Sequence, residues 1–382
     1  MAPQIAPPEI FWFIPGAGDG RHLGAATRPN GFAYLASIAQ AADCLGFDGV
    51  LLPTGGLSED TIVIGSALLS LTRRLRFLVA IRPGLISPIL AARINASLDR
   101  VSNGRANLNV VSGSGKFDFE GLPLSHEGRY ELTREWLAAF RGAFGPDAVN
   151  FKGRHIHVEN GKVLLPSVQR PYPPIYFGGS SDEARSVAAE HADVYLSWGE
   201  PPEEVAEKFA DIRRQAEARG RRVRFGLRAH IIVRETEEEA WREAARLIEH
   251  LSDEQIAKAQ SGFAASESVG QQRMARLHRG NRDSLRIGKN LWAGVGLVRG
   301  GAGTAFVGSP ENIARALAEY RDAGVETFIL SGYPHLEEAY RTAEFLFPAI
   351  GKNSPIFQTA QKAVAAATAH AGSATIGRFN SI

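Results

Sequence analysis

The chain has 382 residues, 44% hydrophobic and 22% charged, which excludes a disordered, collagen-like or disulfide-scaffold protein. Its 43 basic and 41 acidic residues leave a formal charge of +2, without the basic excess or basic block of a nucleic-acid binder. The lone Cys44 rules out an intrachain disulfide and any metal site built on several thiolates.

From the N-terminus, MAPQIAPPEIFWFIPG lacks the basic region and long apolar core of a signal peptide. No later apolar run approaches the ~20 residues of a membrane span, so the cytoplasm is the expected compartment. Short runs rich in β-branched and aromatic residues then recur. They are Ile10–Pro15, Gly49–Pro53, Arg76–Ile81, Ala106–Val111, Pro174–Phe177, Asp193–Trp198, Arg224–Val233 and Thr327–Ser331. Each is too short for a buried helix and predicts a strand. Between them lie helical patterns: Phe32–Leu45 puts Leu35, Ile38, Ala42 and Leu45 on one face, and Glu203–Arg219 alternates charged and apolar residues at helical spacing.

Eight strands alternating with helices predict an α/β fold, a (β/α)8 TIM barrel closed by parallel pairing. A doubly wound open sheet is the alternative, usually marked by G-x-G-x-x-G after its first strand. Here GAGDGRHLG (Gly16–Gly24) has the G-x-G spacing, but no helix follows promptly. The barrel is expected as a single domain over residues 1–351, with insertions at about 112–127, 150–168 and 252–307. Asn150–Pro166 reads as a hairpin, and the last insertion ends in a glycine-rich run, Trp292–Gly308, with the character of a mobile lid. The Ala- and Ser-rich tail, 352–382, is expected to leave the core, either frayed or used between subunits.

In such a barrel, functional side chains gather at the C-terminal ends of the strands. SGSG (Ser112–Gly115) follows the fourth run and GGSSDEA (Gly178–Ala184) the fifth. The second suits a phosphate at a helix N-terminus, or equally an ordinary turn with Ser180 or Ser181 as N-cap. Strand six delivers Trp198. Strand seven turns Arg228 and His230 to one face with Gly226, which requires an anion or a buried carboxylate partner. Strand eight delivers Tyr333 and His335, and Arg299 sits in the glycine-rich segment. Together these residues suit an anionic substrate. No HExxH zinc motif occurs, no metal is expected, and SGSG lacks the strand–turn–helix setting of a nucleophile elbow.

Several of these stretches are long enough to be specific. FWFIPGAGDG, LVAIRPG, LDRVSNGRA, PYPPIYFGGSSDEA, LSWGEPPEEV, RFGLRAHIIVRET, NLWAGVGLVRGGAGTAFVG and SGYPHLEEAYR resemble the flavin-dependent alkanesulfonate monooxygenases of the bacterial-luciferase-like barrel superfamily, from about Ile10 to Pro348. The resemblance implies a two-component enzyme: a separate NAD(P)H-dependent flavin reductase supplies reduced FMN (FMNH2), which with O2 oxygenates the carbon bearing a sulfonate and releases sulfite and an aldehyde. It also implies roles. Trp198, Arg228, His230, Tyr333 and His335 match sulfonate and active-site positions, and Arg299 matches a lid arginine. Ser112, Tyr130, Gly179 and Ser180 match positions that hold FMN and its phosphate. A homodimer or homotetramer is implied as well. Three departures stand out: Gly16-Ala17 where the family often has Thr-His, Ser58 where many members have Cys, and an unusual loop after strand four. The two large-to-small changes at Gly16 and Ala17 suggest extra room at the mouth and an organosulfonate bulkier or more polar than a short alkanesulfonate, such as sulfoquinovose, while Ser58 puts in doubt any role of the thiol it replaces. The competing expectations are a long-chain alkane, aldehyde or deazaflavin oxidoreductase on the same barrel, and a sulfonate-capturing transport protein.

Overall fold

The computed structural model describes residues 6–113 and 123–359. Eight strands form the barrel: β1 Glu9–Phe13, β2 Gly49–Leu52, β3 Arg76–Ile81, β4 Ala106–Val110, β5 Ile175–Gly178, β6 Val194–Trp198, β7 Arg224–Val233 and β8 Val325–Ser331. Each pairs in parallel with the next, and β8 returns to β1, so the barrel closes as the sequence predicts.

Alternation along the strands builds two cores. Ile10, Trp12 and Ile14 face outward into the shell of helices, while Phe11 and Phe13 turn inward with Leu51, Leu78, Tyr176, Val194 and Ile329. Glycine makes room for the inward rings: a Cβ on Gly49 would lie 2.6 Å from the Phe11 ring and 2.8 Å from the Arg76 carbonyl oxygen. Gly49→Val is therefore expected to cost about 1–3 kcal/mol through overpacking, read as a lower urea midpoint.

At the C-terminal face, helices Pro88–Ser102, Asp182–His191 and Pro310–Asp322 begin on Ser87, Ser181 and Ser309, whose hydroxyls accept first-turn N–H groups. Ser181 thus takes the N-cap role weighed from sequence.

Residues 114–122 of the loop after β4 and 360–382 of the tail lie outside the described residues. Helix His126–Gly142 begins inside the last part of that expected insertion. Strands Val149–Lys152 and His157–Gly161 form an antiparallel hairpin. The last insertion carries helices Asp253–Ala264 and Val269–His278, and it also adds strand Ala305–Gly308 to the sheet. Its reason lies in β7, which is ten residues long. Beyond Arg228 it has outrun β6, and from His230 on Ala305–Gly308 takes up the backbone groups of that edge.

Candidate active site

Two strands and the glycine-rich segment converge on one cluster. Arg228 and His230 come from β7, Ser331 ends β8, Tyr333 and His335 follow it, and Arg299 reaches in from above. Arg228 Nη2 donates to Ser331 Oγ at 2.7 Å, and Nη1 donates to the carbonyls of Ala229 and Ile329. Its guanidinium carbon sits 4.5 Å from the Phe13 ring centroid and that of Arg299 5.3 Å from the same ring. Among the described residues neither arginine has a carboxylate within ion-pair distance. Arg228 is 5% exposed, and burial, then the Arg299 charge, depress its pKa. A guanidinium stays protonated in proteins, so this is a buried cation awaiting an anion. Among the described residues, the carboxylate partner considered from sequence is not found.

The Ala302 carbonyl, which can only accept, sets the tautomer of His230: Nε2–H donates to it at 3.1 Å. His230 Nδ1 therefore accepts from the Ser331 hydroxyl at 2.8 Å, and Ser331 Oγ in turn accepts from Arg228. Burial and the Arg228 and Arg299 charges hold the His230 pKa far below the usual imidazole value, so it is neutral and both ring nitrogens are engaged. Tyr333 stacks on it with ring centroids 5.5 Å apart.

A cavity of about 320 Å³ opens beside this cluster, walled by Phe13, Gly16, Ala17, Asp19, Arg299, Tyr333 and His335 among others. The departures Gly16 and Ala17 do line the mouth, but Gly16 and Ser58 share one space: a Cβ on Gly16 would fall 2.1 Å from Ser58 Oγ. The serine refills that side, and only Ala17 opens toward solvent. A larger concavity, about 840 Å³, lies at the opposite, N-terminal end of the barrel around Arg213, Arg221 and Arg224. We place the active site at the smaller one, because barrel chemistry sits at the C-terminal face.

Trp198 is not packed within the arginine cluster. It ends β6 beside Arg228 in register, with its ring against Gly270 of the insertion. The residues matched to flavin binding form a second group. Gly179 takes φ +147°, and a Cβ there would meet Ala184 at 2.6 Å and the Tyr130 hydroxyl at 3.3 Å. Ser180 Oγ lies 3.4 Å from Lys208 Nζ. Ser112 is half-buried just beyond β4.

Four residues here escaped the sequence reading: Asp19, Ser331, Glu200 and Lys208. Lys208 and Glu200, 4% and 1% exposed, pair at 2.8 Å, and Arg273 of the insertion helix shares the same carboxylate. Burial raises the Glu200 pKa, but Arg273 and Lys208 overcome it and hold it below the usual range. Lys208 moves the other way: burial lowers its pKa more than the shared Glu200 restores it. The three-way contact with Lys208 and Arg273 keeps Glu200 ionised. Glu200→Ala leaves Lys208 buried and unpaired, for an expected loss of about 3–5 kcal/mol in chemical denaturation. Glu200 contributes stability above its unfolded pKa, lost as pH falls through its depressed folded value.

The family model for luciferase-like monooxygenases matches residues 9–327. The chain belongs to that family. Among solved structures, this luciferase-like chain is similar to a long-chain alkane monooxygenase (LadA), at 21% identity and a TM-score of 0.74, covering 91% of each chain. It is similar to the riboflavin lyase RcaE at 20% identity and TM-score 0.73, covering 90% of this chain and 91% of that one. The EDTA monooxygenase EmoA from Chelativorans sp. BNC1 follows at 17% identity and TM-score 0.70, with 91% and 94% covered. These likenesses show the fold. Among the described residues, no helix is long and apolar enough to cross a membrane.

Proposed function

We propose that this luciferase-like monooxygenase is a two-component, reduced-FMN- and O2-dependent enzyme that cleaves the C–S bond of an organosulfonate to sulfite and an aldehyde. One observation carries the reading: Arg228 and Arg299 converge beside one ring, with no carboxylate among the described residues within ion-pair distance. The similar structures are named for an alkane, for riboflavin and for EDTA, so the fold does not choose the substrate. The two cations do. A neutral alkane gains nothing from them, whereas a sulfonate monoanion accepts charge-assisted hydrogen bonds from both.

The structure fits a flavin at the second group. Gly179 lets the backbone pass where a Cβ would strike Ala184, Tyr130 and Ser180 offer hydroxyls, and Lys208, paired with Glu200, stands beside Ser180. These would hold the phosphate. On β4, alternation turns Asn107 and Asn109 inward below Ser112, and Asn107 Nδ2 is a buried donor with no partner among the described residues, suited to a ring edge. Reduced FMN with O2 would supply the oxygen atom. This chain's own residues bind the sulfonate through Arg228 and Arg299, keep His230 neutral so that it adds no third positive charge beside the two guanidiniums, and, through Arg299, cover the mouth against water. A separate NAD(P)H-dependent reductase provides the flavin, and a homo-oligomer is part of the proposal.

Ala17 opens the mouth, which supports a polar, bulky sulfonate such as sulfoquinovose over a short alkyl one. The test is sulfite release with a flavin reductase, NADH, FMN and oxygen, run with sulfoquinovose, methanesulfonate and octanesulfonate. Preference for the sugar is expected. Equal turnover of octanesulfonate removes the substrate assignment, and release from none removes the function.

A further inference from the structure

We propose that His335 is the base that takes the proton when the C–S bond breaks, and that Asp19 is the positioning residue that fixes which of its nitrogens is free. The inference rests on the sulfonate reading above and assigns a step within it.

His335 is 1% exposed and forms part of the cavity wall. Its Nδ1 lies 3.0 Å from Asp19 Oδ1, a contact that meets the distance of a hydrogen bond but not its best angle. Its Nε2 is buried with no partner among the described residues. A buried ring nitrogen without a partner is uncommon, and in a cavity wall it points to a ligand. Asp19, 2% exposed, is gripped on both oxygens: Oδ1 accepts from Gly20 N at 2.8 Å, and Oδ2 from Tyr34 Oη at 2.6 Å and His335 N at 2.7 Å. Arg28 backs it, donating to Tyr34 Oη and to both oxygens of Glu337. Asp19 therefore cannot turn away, and it draws the imidazole hydrogen to Nδ1, leaving the lone pair on Nε2.

The other groups facing this ring are excluded in turn. Arg228 and Arg299 have no lone pair to offer. His230 has both nitrogens engaged, with Ser331 and Ala302. Tyr333, edge-on to His335, is held by burial above the ordinary phenol value. Burial lowers the His335 pKa, Asp19 raises it and the two arginines lower it again, so the ring is neutral near pH 7.

The oxygenated carbon carries both a hydroxyl and the sulfonate, R–CH(OH)–SO3−. Its hydroxyl proton passes to His335 Nε2, the O–H pair becomes the C=O bond, and the C–S pair leaves on sulfur. The products are R–CHO, SO3²− and the imidazolium, which Asp19 stabilises. Arg228 and Arg299 receive the second charge that grows on sulfite.

The test pairs histidine 15N NMR on the flavin-free chain with the pH dependence of sulfite release, for wild type, Asp19→Asn, Asp19→Glu and His335→Gln. In the wild type His335 is expected as the neutral Nδ1–H tautomer. Asp19→Asn should lose that single tautomer, lower kcat about 100-fold and move the acid limb to lower pH, because the charge that raises the His335 pKa is gone. Asp19→Glu should restore most of kcat. His335→Gln, which leaves Asp19 untouched, should lower kcat by 100-fold or more with KM little changed. An Nε2–H tautomer in the wild type, or a wild-type kcat and pH profile in Asp19→Asn, overturns the proposal. The expected tautomer without sulfite from any sulfonate keeps the pair and overturns its assignment to C–S cleavage, a failure of the functional reading.

Discussion

Arg228→Met is expected to lower kcat/KM for a sulfonate by about 100- to 1000-fold while making the flavin-free protein more stable. The two effects have one cause. In the absence of substrate, Arg228 is a desolvated cation at 5% exposure whose partners are two carbonyls and a hydroxyl. Replacing such a charge with an apolar side chain of similar length removes an uncompensated desolvation cost and is expected to contribute about 1–4 kcal/mol, seen as a raised Tm. With substrate bound, the same substitution leaves a buried sulfonate facing one fewer cation, for a loss of about 2–5 kcal/mol. Opposite signs in the two measurements distinguish an anion site from a structural arginine, whose removal would lower both. Arg228→Lys should recover only part of the activity, since an ammonium cannot keep the Ser331 and backbone bonds and also reach the anion with a planar fork.

Arg299→Ala should lower kcat/KM by about 10- to 100-fold, with less effect on stability. Arg299 comes from a loop whose neighbours anchor it: Gly301 N donates to Gln271 Oε1 at 2.9 Å and the Thr304 hydroxyl to the Gly199 carbonyl at 2.6 Å. The side chain itself has no acceptor among the described residues. Its Nη1 stands 3.4 Å from His230 Nε2, whose hydrogen already goes to Ala302, so the approach brings two donors together. An anion between them would relieve it. One charge-assisted hydrogen bond of about 1.5–3 kcal/mol sets the expected size. Steady-state kinetics on the variant check it, and an unchanged kcat/KM would remove Arg299 from the site.

The strands were legible because short β-branched runs ending in glycine or proline have few other readings, and their alternation also oriented Arg228 and His230. What the sequence could not show is pairing across distance. Asp19 stands among glycines and reads as a turn residue; its partner His335 is 316 positions away. Ser331 reads as a strand-ending serine, yet it joins Arg228 to His230. Gly16 reads as an opening of the mouth, and only in three dimensions does Ser58, 42 positions on, fill the space it leaves. The absence of a carboxylate beside Arg228 was equally hidden, because a chain with 41 acidic residues offers many possible partners. Even the extra strand Ala305–Gly308 sits in a glycine-rich run that reads as loop, and it pairs because β7 is too long for its neighbour β6.

The most direct test of the central claim is the stoichiometry of sulfite to reduced flavin consumed, with and without O2, using an organosulfonate as substrate. The account predicts sulfite in near one-to-one yield with flavin oxidised when oxygen is present, none without oxygen, and none when FMN is withheld. Flavin oxidation at the same rate with no sulfite from any sulfonate, or sulfite released without reduced flavin, would contradict it.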